Sequence, residues 1–133
     1  SENELSGLLD EMLKRLPQQE KYLDIKVSGS DIRLCCSDIV YAEHFAHIIN
    51  IHTVAGKTLA TRQSFKVFTE SLKEDPRFFI CGRGVIVNLE QAEDFEADAF
   101  CMRDGSRVYV CQNLLKSARQ VFMEFLLQRG RIG

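Results

Sequence analysis

Two hydrophobic periodicities divide the chain. Between residues 4 and 16 apolar side chains recur at spacings of three and four: Leu5, Leu8, Leu9, Met12, Leu13 and Leu16. That spacing gathers them on one stripe of a helix. Pro17 stops the helix, having no N–H to carry it on. So short a helix is marginal alone in water, and its stripe needs a partner: the rest of the chain, a second copy or an upstream domain. From Tyr22 the period falls to two. Residues 22–27, 32–35, 39–42, 48–53 and 58–61 read as short strands joined by tight turns, Ser28-Gly29-Ser30 and Ala55-Gly56-Lys57 among them. Such close spacing leaves no room for crossover helices, so antiparallel sheets are expected.

One helix interrupts the strands. Ser64 is a natural N-cap, Phe65, Phe68 and Leu72 share a face, and Glu74-Asp75-Pro76 ends the helix. Next comes Phe78-Phe79-Ile80-Cys81-Gly82-Arg83-Gly84-Val85-Ile86-Val87-Asn88, two apolar runs around a Gly-Arg-Gly break. Glycines on both sides of one cation let the backbone turn sharply and hold the guanidinium outward; the plain reading is a strand corner. Glu93-Asp94 reads as solvated loop charge. Residues 97–102 and 107–110 flank Arg103-Asp104-Gly105-Ser106, where Asp-Gly signals a hairpin. Leu114, Leu115, Ala118, Val121, Phe122, Phe125 and Leu126 then keep helical spacing.

Composition narrows the class. The 133 residues are enough for one domain with its own core. No apolar run nears the roughly 18 residues that cross a bilayer. The five cysteines are odd in number, form no C-x-x-C pair and mostly sit in apolar runs, as reduced buried thiols in the cytoplasm do. The first residue is Ser rather than Met, as in a piece of a longer protein. Net charge is −2; residues 1–19 carry four acidic and two basic side chains, and the remainder is balanced. A neutral domain argues mildly against nucleic acid, but a basic face within it is compatible with these numbers. His44, His47 and His52 lie close in sequence but lack the i, i+4 or finger spacing of zinc sites. No nucleophile elbow or glycine-rich phosphate loop is present. Neither an enzyme nor a cofactor is expected.

The order of elements resembles the LytTR DNA-binding domain family over roughly residues 20–120. Ile39-Val40-Tyr41-Ala42-Glu43 is similar to that family's I-x-Y-I-E strand, and Thr61-Arg62-Gln63-Ser64-Phe65 to its T-R-x-S-L helix start. The Gly-Arg-Gly stretch is similar to F-x-R-x-H-R-S-Y-I-V-N, and Asp104-Gly105 with Val108-Tyr109-Val110 to D-G-x-x-I-P-V-S-R. The resemblance implies a mainly β fold of small antiparallel sheets with one short intervening helix, to which the pattern adds helices at both ends. It implies sequence-specific double-stranded DNA binding through loops, at promoter repeats occupied by two protomers. It also implies transcriptional regulation as the output domain of a two-component response regulator, residues 1–19 being the linker helix from an upstream receiver absent from this chain and residues 20–133 the DNA-binding domain.

Carried onto this sequence, the resemblance makes His47, Arg83 and Gln112 the base readers. Neutral imidazole can donate or accept at a base edge; Arg suits guanine, and Gln suits adenine. Asn113, Lys116, Lys57 and Arg62 are the expected phosphate contacts, the last two chosen for charge and loop position. The family's His and Ser beside Arg83 are Gly82 and Gly84 here, and its S-R-R is Cys111-Gln112-Asn113, a loss of two cations. An alternative follows from that loss: a LytTR-shaped protein-interaction module that pairs through residues 4–16.

Overall fold

The computed structural model describes residues 21–132; the expected linker helix lies outside them. Among the described residues ten strands form three antiparallel sheets. The first is the hairpin β1 (Tyr22–Val27) and β2 (Ser30–Cys35). The central sheet has five strands in the order β5-β4-β3-β7-β6, from β3 (Ile39–Phe45), β4 (Ile48–Thr53), β5 (Thr58–Arg62), β6 (Phe78–Gly82) and β7 (Val85–Asn88). The third is β8 (Ala92–Glu96), β9 (Ala99–Met102) and β10 (Arg107–Tyr109), with β9 in the middle. Helix α1 (Phe65–Glu70) follows β5, and α2 (Leu115–Ile132) closes the chain.

The period of two explains the layering. Alternation along β3, β4 and β7 sends Ala42, Ile49, Ile51 and Ile86 to one face, where they meet Leu23, Ile25 and Leu34 of the first hairpin, Phe68 of α1 and Leu72 just after it. Val40, Val87 and Cys81 meet Phe100, Met102 and Val108 of the third sheet and Ala118 and Phe122 of α2 in a second core. Phe100 lies at the centre of this second core, with rings of Phe79, Phe95 and Phe122 edge-on at 4.8–6.2 Å. Ser64 caps α1, accepting from the Val67 N–H at 3.1 Å.

Asn88 closes the Gly-Arg-Gly stretch and is fully buried. Its Nδ2 donates to the Ile39 carbonyl at 2.8 Å and its Oδ1 accepts from the Glu90 N–H at 2.9 Å. It ties β7 to β3 and to the next turn, so its role is structural. Glu93 and Asp94, read as loop charges, belong instead to β8, and the strand expected from Ala97 begins at Ala99 after a turn. β8 is an edge strand whose register shifts between Ala92 and Asp94, leaving only Ala92 and Phe95 turned toward the core.

Candidate nucleic-acid interface

One end of the central sheet gathers most of the candidate residues. β3 and β4 are joined by two residues, Ala46 and His47, between paired Phe45 and Ile48. Both have positive φ, 52° and 69°, the signature of a type I′ turn. That turn prefers Asn-Gly; Ala and His in left-handed backbone cost roughly 1–2 kcal/mol each. The strain places the exposed imidazole of His47 at the tip of the hairpin. Ile48 pairs in turn with Arg62, the last residue of β5, so Arg62 stands beside the tip. His44, His47, Arg62, Gln63, Ser64 and Phe65 line a shallow groove there.

The Arg83 loop abuts the same end. Glu43 pairs with Val85, and the His44 N–H donates to the Gly84 carbonyl at 2.6 Å. A Cβ on Gly84 would come within 3.1 Å of His44 Cβ and carbonyl oxygen, and φ is +68°, so glycine suits both the space and the backbone. On the other flank, the Cys111 N–H donates to the Cys81 carbonyl at 2.8 Å. Cys111 Sγ occupies the place a Gly82 Cβ would take. The two glycines are therefore contact points: Gly84 seats the loop on the His47 hairpin, and Gly82 seats it on the segment that leads into Gln112.

Gln112 and Asn113 begin a 3-10 turn (Gln112–Leu114) that runs into α2, and Lys116 follows in the first turn of that helix. All three are exposed, as are His47, Arg62 and Arg83. The resulting ridge runs Arg62, His47, Arg83, Gln112. From β5 to β6 it crosses four strand spacings, about 19 Å. Lys57 lies elsewhere: it sits in the turn at the far end of β4 and β5, its backbone held by Thr53, with the length of β4, about 17 Å, between it and the His47 tip.

The charges on this ridge have one sign. Its segments, residues 44–48, 62–64, 82–84 and 111–116, contain no Asp or Glu. Among the described residues Arg62, Arg83 and Lys116 form no ion pair. The acidic β8–β9 turn flanks the fourth segment, with the Asp98 carbonyl accepting from the Val110 N–H at 2.8 Å. Among the described residues no group of three or more His, Cys, Asp or Glu could hold a metal. The three histidines are dispersed: His44 faces Phe65, His47 is at the tip, and His52 stacks on Tyr41 with ring centroids 4.2 Å apart. Burial, with Cys111 adding a smaller effect, pushes the Cys81 thiol up to about 12, so it stays protonated at neutral pH.

No signal in the sequence gives His44 a structural role. Its role as the brace between two loops depends on pairing with β7, which no local signal carries. No helix of the described residues is long and apolar enough to cross a membrane.

Comparison with known proteins agrees with this fold. The family model described as LytTr DNA-binding domain matches residues 29–123. A solved LytTr DNA-binding domain of a methyl-accepting/DNA response regulator from Bacillus cereus superposes with a TM-score of 0.64 at 22% identity, covering 75% of this chain and 94% of that one. Among curated proteins none matches at a significant level.

Proposed function

The chain belongs to the LytTR DNA-binding domain family, and on that premise we propose that it binds double-stranded DNA sequence-specifically, as the output domain of a two-component response regulator. His47, Arg83 and Gln112 read base edges; Arg62, Asn113 and Lys116 hold phosphates. Lys57, at the opposite end of the sheet, is left out of this assignment. The observation that carries the reading is the seating of three loops side by side on one acid-free ridge.

The geometry favours loops over a block. A major groove about 12 Å wide cannot take a sheet end of about 19 Å, but it can take a two-stranded hairpin about 5 Å across. The hairpin tip therefore enters one stretch of the groove and the Arg83 and Gln112 loops reach base edges further along the duplex, while Arg62 and Lys116 stay level with the backbone. The N-terminus of α2, with no acidic residue in its first turn, adds partial positive charge next to Asn113 and Lys116. Promoter repeats would take one protomer each, below a receiver joined through residues 1–19.

The test is a salt titration of duplex binding, using fragments selected from a random library. Two or three phosphate contacts predict a log–log slope of about −2 to −3, and Lys116→Gln should flatten it by about one. A slope near zero would sink the reading. One observation favours protein contact elsewhere on the domain: Met123, Leu126 and Leu127 are exposed together on α2, away from the ridge residues.

A further inference from the structure

Phe45 is 77% exposed, more than any other large apolar side chain described. It belongs to neither core and enters no ring pair among the described residues. The fold gives it no task, yet its place is particular. It is the last residue of β3, immediately before the strained Ala46-His47 turn, and it pairs with Ile48, which pairs with Arg62. Alternation puts it on the sheet face opposite His44, whose ring turns toward Phe65. The hairpin tip thus carries a polar reader, His47, with a bare aromatic ring beside it.

Building on the DNA-binding reading above, we propose that Phe45 is a specificity-determining residue that packs against the C5-methyl of a thymine next to the base read by His47. A phenyl ring can neither donate nor accept at a base edge. In the major groove the thymine methyl is the one apolar feature a base pair offers, and Phe is among the side chains that meet it. The ring is continuous with the ridge on both sides, so a hairpin that brings His47 to a base edge brings Phe45 within the same groove. Burying the ring against the methyl removes apolar surface that the free protein leaves in water.

The experiment replaces each thymine of a library-selected duplex, one at a time, by deoxyuridine, which lacks only that methyl. Wild-type protein should lose about four-fold in affinity at one thymine per half-site, the worth of one buried methyl group. Phe45→Ala should bind the thymine and uracil forms of that duplex equally, and about ten-fold more weakly than wild type binds thymine. Phe45→Leu, still apolar, should keep part of the preference. Because Phe45 is outside both cores, thermal melting should show these variants folded. Indifference of wild type to every uracil substitution, or an unchanged thymine preference in Phe45→Ala, overturns the assignment while leaving DNA binding standing. Recovery of no duplex at all overturns the DNA-binding reading and this assignment with it.

Discussion

Gly82 offers the sharpest test of how the ridge is assembled. Gly82→Ala adds one methyl group where two things oppose it. Gly82 has φ of +149°, a backbone that L side chains rarely adopt, worth about 1–3 kcal/mol of strain. The new Cβ would also run into Cys111 Sγ and lie 3.2 Å from Cys111 Cβ, an overpacking cost of about 1–3 kcal/mol. Together these predict a loss of about 2–6 kcal/mol, a large share of the stability of a typical domain. Cys111→Ala removes the sulfur but not the backbone strain. In the Gly82→Ala background it should therefore recover about 1–3 kcal/mol, while alone it should cost little because Cys111 is exposed. Urea denaturation of the four proteins of the cycle, compared at constant m, measures the coupling. Additivity within about 0.5 kcal/mol would refute the claim that Gly82 and Cys111 are in contact through this loop. So would a Gly82→Ala protein as stable as wild type.

Two further predictions concern the turn and the acid limit. Replacing Ala46-His47 by Asn-Gly should stabilise the fold by about 1–2 kcal/mol, since those residues accept the positive φ the turn demands, and should remove the base preference proposed for His47; a variant that melts no higher would show that the turn is not strained. Asp75 is mostly buried and pairs with Arg77 at 2.8 Å. Burial raises its carboxyl, but the Arg77 hydrogen bonds and charge outweigh that and hold it below its ordinary 3.8. A folded pKa below the unfolded one gives stability that is present above pH 3.8 and lost as pH falls through the folded value. Denaturation midpoints measured from about pH 6 to about pH 3 should therefore fall less steeply in Asp75→Asn than in wild type, and equal slopes would exclude the pair as a source of acid lability.

The elements were legible where one signal spoke alone. β1 and β4 alternate cleanly against a buried face, and Ser64 announces α1. β8 was not legible because three carboxylates lie on an edge strand and a register shift breaks the alternation at Ala92 and Asp94. Its only inward side chains, Ala92 and Phe95, are too few to declare a strand. The loops were legible one by one from their glycines and polar tips. Their convergence was not, since it rests on Glu43 meeting Val85 and Cys81 meeting Cys111, pairings far apart in the chain. Lys57 and Arg62 show the same point in reverse. Five positions apart in sequence, they stand at opposite ends of an extended strand.

Net charge had argued against a nucleic-acid partner, and the structure shows why that argument is weak. At physiological salt a charge is screened within about 8 Å, whereas the central sheet alone is about 19 Å wide. Carboxylates at the Lys57 end, or on the outer face of β8, therefore subtract little from the field at Arg83. What a balanced total removes is long-range attraction, which governs the rate of encounter. What it leaves is contact: an acid-free ridge with few cations, a strained imidazole and a glycine-seated guanidinium. On the proposed reading, a domain built this way gains less affinity from phosphates than one with the S-R-R cations, and base edges supply a greater share of its binding. Its discrimination between sequences should accordingly survive added salt better than its affinity does.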